Sequence, residues 1–148
     1  MQNSRKNPWQ SYSKVATQTA TPEQLVLMLY DGTVRFLERA LAGFQFEDLI
    51  EHHQAINNNI LRAQAIIQEL DSTLNMEKGG EVSANFRRLY DYMNRRLHEA
   101  NVKKDKAPVE EILMRVRVLR DSWAEMMQKR PAGNADAAPL NLESLQAA

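Results

Sequence analysis

Between Asp48 and Leu74 the apolar residues Ile56, Ile60, Ala63, Ile67, Leu70 and Leu74 alternate between steps of four and three. That rhythm lines one side of an α-helix, whereas a strand, with its period of two, would scatter the same residues over both faces. Three other segments carry a comparable stripe: Leu25, Leu29, Phe36 and Ala40; Val82, Phe86, Leu89, Met93 and Leu97; and Val109, Ile112, Val116, Leu119, Trp123 and Met126. With only five glycines and five prolines in 148 residues, little interrupts them. The first helix has a clear start at Thr21-Pro22-Glu23-Gln24, where Thr21 can cap, Pro22 suits the first helical position and Gln24 can close a capping box. The pattern predicts helices from there to Phe44, then over Asp48–Leu74, Glu81–Ala100 and Pro108–Lys129. The intervening breaks, at Phe46-Glu47, Lys78-Gly79-Gly80 and Asn101 to Ala107, are short enough to join antiparallel neighbours. The fold class is therefore all-α: one antiparallel up-down four-helix bundle over residues 21–129. An N-terminal arm (residues 1–20) precedes it and a flexible C-terminal tail (130–148) follows.

Composition excludes several chemistries. Without cysteine there is no disulfide framework, zinc thiolate, thiol nucleophile or cysteine-ligated cluster. Nineteen basic and nineteen acidic residues cancel, so no global field draws the chain onto nucleic acid or an anionic membrane. No segment approaches the roughly 20 apolar residues that span a bilayer, and no signal peptide opens the chain, so membrane insertion is not expected and the cytoplasm is the expected compartment. The sequence carries no signal for oligomeric state.

The helices hold more apolar side chains than one core takes. About six layers of four side chains make roughly 24 seats, against roughly 40 large apolar residues in the four helices. The surplus is patterned. The first helix carries a second stripe of Val26, Tyr30, Leu37, Leu41 and Phe44; the second adds Ile50, Leu61 and Ala65, and the fourth adds Leu113, Met114 and Val118. On one reading these wide apolar faces simply seal the bundle. On the other they line a groove for a partner's helix, which docks through anchors at i, i+3 and i+4. In the arm, Trp9, Tyr12 and Val15 recur every three residues and could cover that groove as a lid until a client displaces them.

Bundle chemistry is missing its residues. A di-iron site needs a glutamate three positions before each liganding histidine, but Leu49, Ile50 and Arg95 stand before His52, His53 and His98. A phosphotransfer bundle needs a lysine and a glycine close behind its histidine; His53 is followed by Gln54-Ala55-Ile56 and His98 by Glu99-Ala100-Asn101. There is no glycine-rich phosphate loop or nucleophile elbow. No enzyme, metal or cofactor is predicted. Arg87, Arg88, Arg95 and Arg96 suggest a basic patch, but Asp91 lies four residues from Arg87 and Arg95, and Glu99 four from Arg95, so ordinary surface pairing within one helix is expected instead.

Several ordered stretches resemble the FliS family of flagellar export chaperones. They are Tyr12 in Tyr-Ser-Lys-Val, the run from Thr21 to Gly32, Glu-Lys-Gly-Gly-Glu-Val-Ser-Ala-Asn-Phe from Glu77, Leu-Tyr-Asp-Tyr-Met-Asn-Arg-Arg-Leu from Leu89, Ala100-Asn101, and Leu-Arg-Asp-Ser-Trp from Leu119. The resemblance implies an antiparallel helical bundle that binds the disordered C-terminal segment of flagellin in the cytoplasm. It further implies that such a chaperone blocks premature filament assembly and presents its client to the type III export gate. Tyr12 falls at the family's arm tyrosine, which can occupy part of the client site; the other groove residues come from the apolar surplus alone. The alternative function is a more general helical adaptor that takes another flagellar export or regulatory protein in the same groove.

Overall fold

A computed structural model describes residues 20–129. Four helices account for nearly all of them: α1 (Pro22–Gly43), α2 (Leu49–Ser72), α3 (Met76–Lys103) and α4 (Lys106–Gln128). Each packs on its neighbours in the chain, and α1 also packs on α4, so the four close into a ring with α1 diagonal to α3. The cross-helix contacts show the antiparallel sense. On α2, Asn57, Gln64 and Asp71 advance by seven residues while their α3 partners, Asn101, Asn94 and Arg87, retreat by seven. A constant seven-residue interval keeps the same faces in register along a bundle seam.

The ends are set by local chemistry. Thr21 and Gln24 form the predicted capping box, each side chain bonding the other's backbone N–H at 3.2 and 2.9 Å. Asp48 caps α2 and Asp105 caps α4. The boundaries of α3 differ most from the sequence expectation, and those of the other helices differ by one or two residues. α3 begins at Met76, because Asn75 caps a single turn whose continuation is broken at Gly80 (φ 51°, ψ −127°), a backbone region open to glycine. The buried Ser83 hydroxyl ties the two pieces together by donating to the Asn75 carbonyl at 3.0 Å. At the other end α3 runs through Asn101 to Lys103. There Lys104 adopts the left-handed conformation and Asp105 N–H bonds Ala100 C=O at 3.0 Å, so two residues suffice for the turn into α4.

The core follows the predicted stripes: Ile56, Ile60, Ala63, Ile67, Met93, Leu97, Val109 and Ile112 are fully buried. Where α1 crosses α2, a Cβ on Gly43 would stand 2.8 Å from that of Ala55, so the close approach depends on the missing side chain. Aromatic groups fill the end of the bundle where α1 begins. Tyr30 of α1 and Tyr90 of α3 share a buried hydroxyl–hydroxyl hydrogen bond of 2.8 Å across the diagonal. Trp123 of α4 packs edge-on to Tyr30, centroids 6.2 Å apart, and its indole N–H donates to the Glu23 carbonyl at 2.9 Å.

These contacts correct part of the expected groove. Tyr30 (2% exposed), Leu37 (0%) and Leu113 (4%) are core residues, not groove lining. The reason is the position of α1. One of its stripes faces α2, where Phe36 lies beneath Arg62 and Gly43 meets Ala55. The other, through Tyr30, meets α4 at Trp123. A helix wedged between two neighbours buries both stripes. Leu113 lies one turn before Arg117, whose carboxylate partner is Glu38 of α1, and is covered from that side.

The phenol pair makes a testable contribution. Tyr30→Phe or Tyr90→Phe alone should cost about 1–3 kcal/mol in urea unfolding, because each strands a buried hydroxyl, and the double variant should lose less than the sum of the two. Burial pushes the Tyr30 hydroxyl up to about 12, and burial together with the neighbouring phenol pushes Tyr90 higher still. Both stay protonated in the fold at pH values where the unfolded chain, with tyrosines near pH 10, has begun to ionise. Their contribution is whole below about pH 10 and is lost as pH climbs through about 12, at about 1.4 kcal/mol per pH unit for each phenol ionised only on unfolding. Urea midpoints measured from pH 8 upward should bend down past about pH 10 in the wild type, and less so in the double phenylalanine variant.

Candidate functional surface

Among the described residues, no group of three or more His, Cys, Asp or Glu side chains could hold a metal ion, and no helix is long and apolar enough to cross a membrane. The features that invite a partner are on the outside of the bundle. Ile50 (67% exposed) and Leu61 (52%) stand on the outward face of α2, with Ala65 one turn beyond Leu61 and also exposed. Met114 (62%) and Val118 (59%) stand on the outward face of α4. Val26 and Leu41 are partly buried against the core and border the exposed surface of α1. Trp9, Tyr12 and Val15 lie outside the described residues. The structure thus leaves two apolar stripes, on helices that face each other across the ring and so point away from one another.

Sequence periodicity missed a further exposed group: Phe46, Leu49 and Val102. Phe46 and Leu49 flank the α1–α2 turn and Val102 sits in the last turn of α3, so all three belong to the bundle end away from the aromatic cluster. No repeat marks them. The one signal available was their occurrence beside helix breaks, where a large apolar residue has no neighbouring helix to cover it.

Charge is distributed unevenly over the seams between helices. α1 and α4 are joined by Arg120–Asp31 at 2.7 Å and Arg117–Glu38 at 3.5 Å. Between α3 and α4, Glu111 accepts from the Tyr92 hydroxyl at 2.6 Å and from Arg96 and Arg115, and Arg115 also lies over the Tyr92 ring. The Tyr92 hydrogen bond, with the two guanidiniums, holds the Glu111 carboxyl below its usual range. The α2–α3 seam is different: two of its three rungs are carboxamide contacts, Asn101 to Asn57 at 2.9 Å and Gln64 to the Asn94 carbonyl at 3.0 Å. Arg87–Asp71 closes its far end at 3.1 Å.

The arginine-rich face of α3 is thereby resolved, though not by the expected pairs. Arg87 reaches Asp71 on α2, and Glu99 engages Arg96 and Lys103. Asp91 and Arg95, the expected partners, take no part in these bridges. Counting within one helix could not find Asp71 or Glu111, because a carboxylate on the adjoining helix is as near as one a turn away.

With this bundle and its exposed stripes in view, the chain can be compared with known proteins. The sequence model of the family described as flagellar protein FliS matches residues 5–130. The chain belongs to the FliS family. Among its curated relatives, the flagellar secretion chaperone FliS of Bacillus subtilis is 39% identical over 122 residues, 82% of this chain and 87% of the relative. The protein of the same name from Salmonella typhimurium is 34% identical over 114 residues, 77% and 82% of the two chains. That from Escherichia coli is 33% identical over 123 residues, 80% and 88%. The family is one of non-enzymatic secretion chaperones, and it brings with it a flagellar substrate as the kind of partner to look for. A FliS-family bundle has to do its work by binding, which places the interest in its outer surface.

Adjacent residues on α4 provide a check on which apolar groups belong to that surface. Leu113→Ala should cost about 2–5 kcal/mol in urea unfolding, as the loss of a core side chain does. Met114→Ala should stay within about 0.5 kcal/mol of wild type.

Proposed function

We propose that this FliS-family chain is a cytoplasmic export chaperone for flagellin. It binds the disordered C-terminal segment of the client, keeps it from polymerising before export, and delivers it to the flagellar type III export apparatus. The observation that carries this reading is a well-packed bundle that leaves Ile50, Leu61, Ala65, Met114 and Val118 uncovered in two separate stripes. Scattered exposed apolar groups need no explanation, but lines of them at helical spacing are what an amphipathic helix docks on. Family membership and the sequence resemblance supply the identity of the client.

The mechanism follows from the physics of coupled folding. A disordered segment exposes its apolar positions to any partner, including other copies of itself. Docked on the bundle, those positions are buried against surrogate neighbours and the segment gains helix. Ordering the client consumes several kcal/mol of the gross interaction, so a specific complex can still come apart at the export machinery. The arm, with Tyr12 and Val15, and the partly buried Val26 and Leu41 are the further residues assigned to this surface.

Calorimetry combined with circular dichroism tests the proposal. A synthetic peptide of about forty residues from the C-terminus of the same organism's flagellin should bind one to one at micromolar concentration or tighter, gain helix, and show a negative heat-capacity change. Absence of heat and of helix gain would overturn it. Recovery of another flagellar protein in pull-downs, never flagellin, would assign the same surface to an adaptor role.

A further inference from the structure

The seams do not treat their arginines alike. Arg87, Arg96, Arg115, Arg117 and Arg120 each hold a carboxylate across a seam or one turn away. The α1–α2 seam carries three arginines and, among the described residues, no ion pair. Its register is set by Gly43 against Ala55 and Phe36 against Arg62, seven residues apart on each helix and in opposite directions. Arg39 and Arg62 both lie over the Phe36 ring, their guanidinium carbons 5.5 and 5.7 Å from its centroid, and Arg35 stands one turn before Arg39 on the same flank of α1. All three arginines are exposed. The missing counter-charge has a structural cause. The α1 carboxylates within a turn of Arg35, Asp31 and Glu38, are drawn to α4, where Arg120 and Arg117 hold them at 2.7 and 3.5 Å. One turn either side of Arg62 stand Asn58, Asn59, Ala65 and Ile66, and the next carboxylate, Glu69, is seven residues on. Residues 1–19 contain no Asp or Glu to make up the deficit.

We propose that the α1–α2 seam is a docking site for an acidic segment of a partner protein, one whose carboxylates recur about every helical turn. This goes beyond the chaperone reading and does not rest on it. Packing over Phe36 holds two planar guanidinium forks in place before a ligand arrives, so less side-chain freedom is lost when they close on it. The ring attracts both cations but neutralises neither. A carboxylate supplies the absent charge and accepts two N–H groups at once from one fork. With Arg35 and Arg39 a turn apart on one wall and Arg62 on the other, a ligand bearing several linked carboxylates gains more than a single ion does. Nucleic acid and anionic membranes call for a longer basic run than three arginines. Phe46, 44% exposed in the turn after α1, offers an apolar contact that a peptide can use and an inorganic anion cannot.

Fluorescence anisotropy on the full chain tests this with a labelled helical peptide of about twelve residues carrying Glu at steps of three and four, and a counterpart with Gln in their place. At about 0.05 M salt the Glu peptide should bind at least about tenfold tighter than the Gln peptide, and lose most of that advantage by about 0.3 M. Arg39→Gln with Arg62→Gln should weaken it at least about tenfold. Arg39→Lys with Arg62→Lys keeps the charge but loses the fork, and should weaken it at least about threefold. Arg35→Gln should do the same, and because it leaves the Phe36 contacts in place its effect does not come from a loosened seam. Arg88→Gln with Arg95→Gln removes two charges from α3 and should change the affinity by no more than about twofold. Equal binding of the two peptides, equal losses from the α3 pair and the seam pair, or indifference to Arg35→Gln would overturn the proposal. Inorganic phosphate that displaces the Glu peptide better than chloride at equal ionic strength would make this a small-anion site, and tighter, seam-dependent binding of a DNA duplex would make it a nucleic-acid site; either result overturns it. A tenfold gain in Glu-peptide affinity on Asp136→Asn with Glu143→Gln would seat the chain's own C-terminal segment there, and overturns it too.

Discussion

The wedging of α1 between α2 and α4 decides what the rest of the molecule can present. On one side Phe36 and Gly43 close against α2, on the other Tyr30 closes against Trp123 of α4, and the Tyr30–Tyr90 bond reaches across the ring to α3. Every other helix is fixed relative to this one. Because α1 buries apolar residues on both sides, the exposed apolar surface is left to the outward faces of α2 and α4 and to Phe46, Leu49 and Val102 at one end of the bundle. A helix that served only one neighbour would have offered its second stripe to a partner instead.

Polar contacts differ among three of the seams. The α1–α4 and α3–α4 seams are bridged by ion pairs that remain partly open to solvent. Such pairs add little to stability but disfavour misregistered neighbours. The α2–α3 seam relies on carboxamides at two of its three rungs, with the Arg87–Asp71 ion pair at the third. The seven-residue interval of its rungs holds Asn57, Gln64 and Asp71 in a single line.

For a non-enzymatic secretion chaperone, this division is functional. A rigid interior lets the outer faces stay apolar without the bundle loosening, and short turns keep the helices from exchanging partners. The buried hydroxyls of Thr33 and Ser83 are each satisfied by a carbonyl, so neither rewards opening the interior. The exposed apolar side chains of α2 and α4 are then separate from the interactions that hold the fold. Substitutions can be made in one without disturbing the other.

Helical periodicity and capping residues determined by themselves that the chain is an all-α bundle of four helices, where α1 starts, and which residues of α2 and α4 form the main core stripe. These are local properties: a step of three or four residues fixes the angle around a helix, and the Thr21 side chain can bond only the backbone beside it. The exposure of Ile50, Leu61, Ala65 and Met114 was legible as well, because they lie opposite their own helix's buried stripe. Only the tertiary structure decided that Tyr30, Leu37 and Leu113 are core and that Arg87 pairs with Asp71 instead of Asp91. An angle around a helix says which residues point the same way, but not which neighbouring helix stands in that direction, and both burial and ion pairing depend on the neighbour.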